Sequence, residues 1–364
     1  MDTKIFNILN LLEENNYESY IVGGYVRDFI LNKKSYDIDI ATSATVKEMS
    51  NFLNGNASSA HYGALKINNP PYNIDITTFR RELSYQKRNP TVCYIKDVKE
   101  DILRRDFTIN AILMDKNGNI IDYLGGIQDI RDKKIKCIGN PNEKFQDDPL
   151  RMLRALRFHA TLGFNIEPAT LNAIKKYKEL LSTLSKTRIK SEFDKILLST
   201  NAVKAMDYMK KLGILKILDI NYKKIVKVDD LCGMYAQIDL AADFPFTKKE
   251  QSNIKTIQKI LKYGKIDNTV IYEHGLYFAM ITGLIKGKKR TAIVKQEKNI
   301  PIHNRKEINI TFDELINLGI PKNKINAVYT ILENLILKNK IKNDKNHLTH
   351  YVLKNKKVWC PCKT

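Results

Sequence analysis

A pair of glycines followed closely by two alternating aspartates is the feature that most constrains the fold of this 364-residue chain. Residues 20–22 are β-prone and stop at Gly23 and Gly24, where the missing Cβ atoms let backbone N–H groups turn toward a phosphate. Asp37 and Asp39 alternate with isoleucines in a later segment, and side chains two apart on a strand share a face. The order strand, glycine turn, helix, strand therefore predicts a phosphate site beside two carboxylates.

Paired carboxylates of this kind suit Mg²⁺, which takes oxygen ligands and completes its octahedron with water and substrate phosphates. In two-metal phosphoryl transfer the ions activate the attacking hydroxyl and stabilise the leaving pyrophosphate. Arg27 falls on the first turn of a helix predicted over residues 25–31, within reach of the same anion. Separately, the two motifs would indicate an exposed amphipathic strand and an ordinary turn. Together they predict that Asp37 and Asp39 are catalytic metal ligands.

The net charge of +21 points to a nucleic-acid partner, because a basic surface attracts phosphate backbones whatever their sequence. A basic surface would also attract a membrane, but the chain has no amphipathic anchor. A general compositional bias toward Lys, Asn and Ile is an alternative explanation of the charge. No apolar run of about 18 residues and no signal-peptide pattern occurs, so we expect a soluble, cytoplasmic protein with no membrane partner. The five cysteines are odd in number and scattered, which argues against a disulfide framework.

Two further sets of potential ligands have an equally simple structural explanation. Asp75 lies on the second of two strands predicted at residues 64–67 and 73–79, on the face opposite its isoleucines. It is either a third acid near the metals or an exposed strand residue. Cys360 and Cys362 suggest a metal site, but no second Cys/His pair stands at a zinc-like spacing.

Acidic and arginine residues between positions 147 and 158 form the second candidate centre. Acidic residues suit the N-terminus of a helix, so a well-capped helix with a basic surface also explains the pattern. Asp148 and Arg151 are three apart and therefore adjacent on such a helix, and Arg154 and Arg157 repeat the step. All four are predicted to face a nucleotide.

An Asp beside an Arg has the chemistry to read the edge of a base. Cytosine and adenine both present an exocyclic amino donor next to a ring-nitrogen acceptor, whereas uracil and guanine present a carbonyl and an N–H there. A carboxylate accepts from the amine and a guanidinium donates to the ring nitrogen. Asp148 and Arg151 are therefore predicted to accept C and A and to reject U and G.

The glycine and aspartate motifs resemble those of a known family. Val22-Gly-Gly-Tyr-Val-Arg-Asp28 followed by Asp37-Ile-Asp-Ile-Ala-Thr42 is similar to the head domain of class II nucleotidyltransferases, which comprise CCA-adding tRNA nucleotidyltransferases and bacterial poly(A) polymerases. The resemblance implies an α+β fold, with a polymerase-β-like nucleotidyltransferase head built on a small mixed sheet and then an all-α neck, body and tail. It implies a head at residues 1–135, a base-recognising neck at 136–200 and a tRNA-binding body and tail at 201–364.

Two more segments resemble the nucleotide-binding motifs of that family. Arg104-Arg-Asp-Phe-Thr-Ile-Asn110, predicted to open a helix over residues 108–114, resembles the motif that contacts the ribose and phosphates, which implies that role for Arg105 and Asp106. Asp147-Asp-Pro-Leu-Arg151 resembles Glu-Asp-x-x-Arg, in which protein side chains replace a template, with Asp where Glu is usual. In the same way, the resemblance implies that Gly24 and Arg27 grip the triphosphate.

The remaining similarities concern a helix that supports the base-reading helix and the choice between the activities of the family. Residues 184–196 resemble a motif that braces the base-reading helix, with Ser185 as an N-cap candidate and Arg188 and Glu192 as an i,i+4 pair. His61-Tyr-Gly63 resembles the His-Gly-Thr of CCA-adding enzymes more than the arginine-rich stretch of poly(A) polymerases. Polar residues 80–92 are interpreted as the flexible loop of the CCA-adding members.

The resemblance thus implies an Mg²⁺-dependent enzyme that adds C, C and A to the 3′ end of tRNA from CTP and ATP and releases pyrophosphate. A poly(A) polymerase of the same fold, or an enzyme adding only A or only CC, is the alternative. A non-catalytic RNA-binding descendant is disfavoured, because both acids of the metal pair are intact.

Overall fold

The computed structural model describes residues 2–57, 63–86 and 89–359. Two motifs of the sequence lie outside these residues, namely the His61-Tyr62 pair and the Cys360 and Cys362 pair. The chain forms two compact units, Met1–Ile220 and Asn221–Thr364.

The first unit contains a mixed sheet and eleven helices within the residues that the structure describes. Its strands are β1 (Ser19–Val22), β2 (Asp37–Thr42), β3 (Ala64–Asn69), β4 (Tyr72–Thr78), β5 (Arg80–Gln86), β6 (Asn89–Tyr94), β7 (Leu113–Met114), β8 (Ile120–Ile121), β9 (Lys134–Ile135) and β10 (Asn165–Ile166). Its helices are α1 (Thr3–Glu14), α2 (Gly24–Ile30), α3 (Val46–Met49), α4 (Val98–Leu103), α5 (Gly126–Arg131), α6 (Pro141–Asp147), α7 (Leu150–Leu162), α8 (Pro168–Tyr177), α9 (Lys186–Leu198), α10 (Ala202–Lys211) and α11 (Ile214–Ile217). Short 3₁₀ turns occupy Thr108–Asn110 and Lys178–Thr183.

Six strands form the main sheet in the order β3-β4-β2-β1-β7-β8. Only β2 and β4 run parallel among these neighbours, so the sheet is mixed, as the sequence predicted. On β2, Ile38 and Ile40 are 1% exposed while Asp37 and Asp39 are exposed, which confirms the predicted alternation. The parallel register sets Asp39 opposite Asp75 on β4. The sheet therefore presents three carboxylates along two adjacent strands.

Apolar side chains from helices and strands cover the other side of these strands. In α1, Ile5, Ile8, Leu9 and Leu12 are buried, whereas Leu11 is 37% and Phe6 is 38% exposed. A helix turns 100° per residue, so six apolar positions within eight residues span more than the buried face, and Leu11 and Phe6 fall outside it.

Residues 80–86 and 89–92 form paired strands in place of the irregular loop that the sequence indicated. β5 and β6 pair antiparallel, with Arg80 opposite Tyr94. The backbone supplies the hydrogen bonds of such a ladder, so polar side chains do not prevent it. Residues 108–114 also differ from the predicted helix, since the 3₁₀ turn there leads directly into β7.

Helices dominate the rest of the first unit. α7 packs against α9 and α10, and Gly163 ends α7 with a φ of +72°, in the left-handed region that favours glycine. The Ser185 hydroxyl accepts from the backbone N–H of Arg188, which confirms the predicted N-cap of α9. The packing of α10 on α7 and α9 places it in the first unit. The division of the chain at residues 135 and 200 stays a prediction.

The second unit is almost entirely helical, as predicted. Its elements are β11 (Ile220–Asn221, at the boundary), α12 (Leu231–Tyr235), β12 (Asp239–Leu240), α13 (Lys248–Tyr263), α14 (Asn268–Ile285), α15 (Arg290–Lys298), α16 (Phe312–Asn317), α17 (Ile325–Leu337), α18 (Lys345–Lys354) and α19 (Lys356–Trp359). An isoleucine-rich core that includes Ile260, Ile293 and Leu332 holds these helices together. No helix in the described part of the chain is long and apolar enough to cross a membrane.

Candidate active site

One cavity of about 550 Å³ in the first unit brings most of the predicted site residues together. The predicted residues that line it are Gly24, Arg27, Asp39, Arg105, Asp106, Asp148, Arg151, Arg154 and Arg157. Asp37 is not part of this lining, although it lies two residues from Asp39 on the same face of β2. Its Oδ1 accepts from the Asn73 side chain at 3.1 Å.

The carboxylate edge, defined as Asp37, Asp39 and Asp75, is an anionic group with little compensation. Asp39 is open to the cavity, yet the protein atoms around it restrict its hydration. This desolvation raises the pKa of Asp39, and repulsion from Asp75 and Asp37 adds to the rise, while Arg105 opposes it. Lys66 pairs with Asp75 at 3.3 Å, on the neighbouring strand β3.

The donors at the carboxylate edge are all oxygens, which suits a hard divalent cation. Within residues 2–57, 63–86 and 89–359, no group of three or more His, Cys, Asp or Glu side chains is arranged to hold a metal ion by itself. Asp37 and Asp39 could therefore supply only part of the coordination shell of a metal ion. Such partial sites are typical where water and substrate phosphates complete the shell.

The glycine turn is fixed by its approach to Asp39. Gly23 has a φ of +80°, and a Cβ built there would lie 2.9 Å from the Asp39 Oδ2. At Gly24 a Cβ would meet only the Arg27 guanidinium, at an ordinary 3.6 Å. Gly23, which the sequence analysis named only as one of the glycine pair, is thus the position that requires glycine.

Arg27 is held in place on α2 by two partners. Its Nη2 pairs with Asp28 at 2.8 Å, and its Nη1 donates to the Asn110 side chain at 2.7 Å. The residue is 8% exposed, so little of it reaches solvent outside the cavity. These contacts aim a positive charge at the space beside the glycine turn.

The arginine wall, defined as Arg105, Arg151, Arg154 and Arg157, also lines the cavity. Arg105 pairs with Asp101 at 2.9 Å, and Arg104 pairs with the same carboxylate at 2.8 Å. Asp101 is 1% exposed, and burial alone would raise its pKa, but Arg105 and Arg104 lower the pKa overall. The sequence analysis missed Asp101, although its i,i+3 and i,i+4 spacing to the two arginines that follow α4 was a usable signal.

Asp106 is used to hold Arg154 in position. The Arg154 Nε contacts its Oδ2 at 2.6 Å, while its Oδ1 accepts from the Phe107 N–H and the Asn110 side chain. Burial would raise the pKa of Asp106, yet attraction to Arg154 lowers it overall. The carboxylate that was expected at the ribose is thus already bound to protein donors.

Asp148 and Arg151 share the cavity, but they are not paired with each other as adjacent residues of one helix. Asp148 lies in the break between α6 and α7, where its Oδ1 accepts from the Leu150 N–H at 3.2 Å. Arg188 of α9 donates to both of its oxygens, at 3.1 and 3.0 Å. Arg151 pairs instead with Glu82 of β5 at 3.3 Å. Pro149 and the helix break separate the two side chains that a continuous helix would have stacked.

The predicted Arg188–Glu192 pair is therefore wrong. Glu192 is 4% exposed and turns toward α7, where it lies 2.8 Å from the Arg157 Nε and 3.8 Å from Arg154. Desolvation lowers the pKa of Arg157 to about 10, and Glu192 opposes that change. Glu192 pairs with arginines of α7 rather than with Arg188 of its own helix, because α7 packs directly against α9.

Phe158 is a second residue that the sequence analysis missed. Its ring lies beneath three guanidinium groups, with centroid distances of 4.1 Å to Arg157, 5.3 Å to Arg27 and 5.7 Å to Arg154. The negative face of an aromatic ring attracts cations. Phe158 thus offsets part of the repulsion among arginines drawn from α2 and α7.

These features define the class of the protein. A carboxylate edge, a glycine turn and an arginine wall around one cavity match what a nucleotidyltransferase needs for a nucleoside triphosphate. Residues 19–136 match the family described as the poly A polymerase head domain, and residues 163–220 match the family described as the probable RNA and SrmB-binding site of polymerase A.

Comparison over the full length identifies the family. A CCA-adding enzyme of Bacillus cereus (strain Q1) is 31% identical over 356 aligned residues, which cover 88% of this chain and 89% of the relative. The chain belongs to the CCA-adding enzyme family of class II nucleotidyltransferases.

Solved structures share the fold. The Bacillus stearothermophilus CCA-adding enzyme in complex with CTP superposes with a TM-score of 0.78 at 23% identity, covering 98% of both chains. The Thermotoga maritima CCA-adding enzyme complexed with tRNA gives a TM-score of 0.70 at 22% identity, covering 98% of this chain and 96% of that one.

Proposed function

We propose that the protein adds C, C and A in turn to the 3′ end of tRNA in the cytoplasm, using CTP and ATP and releasing pyrophosphate, without a nucleic-acid template. The observation that carries this proposal is the single cavity that Asp39 of the carboxylate edge and the arginine wall line together. A nucleoside triphosphate needs a metal-binding edge at its phosphates and a selective surface at its base. Both are within one volume of about 550 Å³, inside the range of ordinary ligand sites.

Asp37 and Asp39 would hold Mg²⁺, with Asp75 beside them. The ion, when bound, supplies charge neutralisation at the phosphates and activation of the attacking 3′-hydroxyl. The oxygen-only donor set and the raised pKa of Asp39 both support this assignment, because desolvation and then repulsion from Asp75 and Asp37 raise that pKa, and a divalent cation offsets both. Gly23 keeps the turn close enough to Asp39 for phosphate and carboxylate to meet.

Charged side chains of the cavity would orient the nucleotide. Gly24 and Arg27 bind the triphosphate, and Arg105 contacts the ribose and phosphates. Asp106 acts through Arg154, since its carboxylate already accepts from that arginine and from Asn110.

Base selection rests on Asp148 and Arg151, each oriented by a partner from another element. Arg188 leaves Asp148 with lone pairs to accept an exocyclic amine, because a carboxylate has about four acceptor sites. Arg151 has five N–H donors, of which Glu82 and the Arg104 carbonyl use part. Arg157 lies next to Arg154 on Phe158 and completes this wall.

The basic surface would hold tRNA. The net charge of +21 and the RNA-binding family match over residues 163–220 support this. Affinity for tRNA should fall by roughly 0.7 to 0.9 log units per log unit of salt for each phosphate neutralised. A flat titration between low and physiological salt would contradict electrostatic binding.

The decisive experiment incubates the protein with tRNA that ends before CCA and with each labelled nucleoside triphosphate in turn. We expect incorporation of C from CTP alone, of A only after C, and negligible incorporation from UTP or GTP. Long A tails on RNA of any sequence would instead identify a poly(A) polymerase. Binding without incorporation would identify an RNA-binding protein.

A further inference from the structure

Phe158 contacts arginines to which the proposed function assigns different parts of the nucleotide. It lines the active-site cavity and is 4% exposed. The centroid of its ring lies 4.1 Å from the Arg157 guanidinium and 5.7 Å from that of Arg154, both on α7, and 5.3 Å from that of Arg27 on α2. Arg27 is assigned to the triphosphate, whereas Arg154 and Arg157 belong to the arginine wall. One aromatic side chain is thus a shared partner of both.

The polar partners of these arginines hold them through their N–H groups. Arg27 donates from Nε and Nη2 to Asp28 at 3.0 and 2.8 Å, and from Nη1 to Asn110 at 2.7 Å. Arg154 donates from Nε to Asp106 at 2.6 Å. A guanidinium has five N–H donors, so each such hydrogen bond leaves one donor fewer for a nucleotide.

An aromatic ring holds a guanidinium in a different way. The electron-rich face of the ring attracts the positive charge as a whole, and this attraction does not require an N–H group to reach an acceptor atom. An arginine that is placed by a ring therefore keeps N–H donors for phosphate oxygens and base edges, which a planar guanidinium binds well. Burial strengthens the contact, and the Phe158 side chain is buried.

Arg157 is the arginine that depends most on the ring. Of the three guanidinium groups, that of Arg157 is the one nearest to the Phe158 centroid. Its Nε lies 2.8 Å from the Glu192 carboxylate, but the two groups are not aligned for a hydrogen bond. Arg157 is therefore held by attraction between charges and by the ring, and its N–H donors stay free for a ligand.

We propose that Phe158 is a positioning residue for the nucleotide, because the face of its ring holds Arg157, Arg154 and Arg27 in the cavity without occupying their N–H donors. This inference rests on the proposed nucleotidyl transfer and identifies how the arginines that bind the nucleotide are kept in place. The affinity for a nucleoside triphosphate then depends on the electron density of the Phe158 ring as well as on its size.

The first test changes the electron density of the ring and leaves its shape nearly constant. Phe158 is replaced site-specifically by phenylalanine that carries one, two or three ring fluorines, which withdraw electrons from the face. We expect the Kd and the KM for CTP to rise stepwise, to about 2- to 30-fold with three fluorines, the range that corresponds to the loss of a cation–π contact. The Kd for tRNA lacking CCA should stay as in wild type, because the basic surface is intact. Phe158→Leu, which lacks the ring, should weaken CTP binding at least as much as three fluorines do.

A matched control is the neighbouring ring of Phe107. It is fully buried and contacts Phe158 edge-on, with centroids 5.7 Å apart and planes inclined at 82°. Within the described residues no arginine of the cavity lies over the Phe107 ring, and Phe107 does not line the cavity. The same fluorine series at Phe107 disturbs the packing in the same way and should leave the Kd for CTP unchanged. An equal rise in both series would mean that packing alone is responsible and would overturn the proposal.

The second measurement does not depend on catalysis. Binding of CTP to each variant is followed by titration calorimetry in the absence of tRNA, and thermal unfolding checks that each variant is folded. If the variant with three fluorines at Phe158 unfolds like wild type and binds CTP with wild-type affinity, the ring does not position the arginines and this inference fails. If wild type binds CTP but transfers no nucleotide to RNA, the proposed function fails instead, and the binding series still decides the role of Phe158.

Discussion

The carboxylate edge and the arginine wall both contribute to one cavity, the edge through Asp39 and the wall through its four guanidinium groups, yet they handle buried charge in opposite ways. Asp39 and Asp106 both lose hydration, which is the largest influence on the pKa of each. The pKa of Asp106 is lowered because Arg154 lies 2.6 Å from it. The pKa of Asp39 is raised because the attraction of Arg105 and Arg154 does not outweigh its desolvation and the repulsion from Asp75 and Asp37. The wall is neutralised by its own protein, and the edge is suited to a cation from solution.

The largest expected effect is at the carboxylate edge. Asp39→Asn keeps the size of the side chain but removes a charged metal ligand, and we expect nucleotide transfer to fall by about 10³-fold or more. Affinity for tRNA should stay near that of wild type, since the basic surface is intact. Parallel measurements of transfer rate and tRNA binding check both statements. Wild-type turnover in Asp39→Asn would remove the metal assignment and with it the contrast between edge and wall.

Breaking the neutrality of the arginine wall should cost stability. Glu192→Gln leaves Arg157 without its buried counter-charge, while Arg154 keeps Asp106, and this should lower the free energy of unfolding by about 3 kcal/mol. Glu100→Gln is the matched control, because Glu100 pairs with Arg81 at 3.0 Å with both side chains largely exposed. That control should change stability by about 0.5 kcal/mol or less. Equal denaturation midpoints for the two variants would show that the wall does not depend on Glu192.

Base discrimination is the next effect in size. Asp148→Ala removes the acceptor for the exocyclic amine, so the ratio of kcat/KM for CTP to that for UTP should shrink by about 1–3 kcal/mol in free energy. Slow transfer should survive, because Asp37 and Asp39 are untouched.

Arg188 offers a sharper comparison at the same site. Arg188→Met should reduce the CTP to UTP ratio less than Asp148→Ala, since the carboxylate remains but loses its two hydrogen bonds to the guanidinium. An unchanged CTP to UTP ratio in both variants would indicate that other residues read the base. The paired strands β5 and β6, where Glu82 contacts Arg151, would then be the next segment to test.

The smallest expected effect is a pH dependence of stability that arises from Asp101, the partner of Arg105 in the arginine wall. The folded-state pKa of Asp101 lies below its ordinary value of 3.8, because Arg105 and Arg104 outweigh the effect of burial. The stability that its ionised form contributes is therefore complete above pH 3.8 and is lost as the pH falls through the lower, folded-state pKa. The difference in unfolding free energy between wild type and Asp101→Asn should shrink over that window. A difference that grows on acidification would contradict the sign.

The edge was predictable from the sequence, and most of the wall's pairing was not. Alternation on β2 and the glycine turn depend on the geometry of a few consecutive residues, so local pattern is sufficient. Partner choice in the wall joins residues far apart, such as Asp148 with Arg188 and Arg151 with Glu82. The helix break at Pro149 redirected both pairs.

The sequence by itself determined the helical remainder, the two aspartates on one strand face and most of the charged residues that line the cavity, and its resemblance to a known family implied the mixed-sheet head. Only the tertiary structure decided that Gly23 is the constrained glycine, that residues 80–92 include a paired hairpin and that Glu192 serves α7. The chain has 61 basic and 40 acidic residues, so many alternative ion pairs are equally compatible with the sequence. Which of them form is set by the elements that pack together and bring two side chains within about 4 Å.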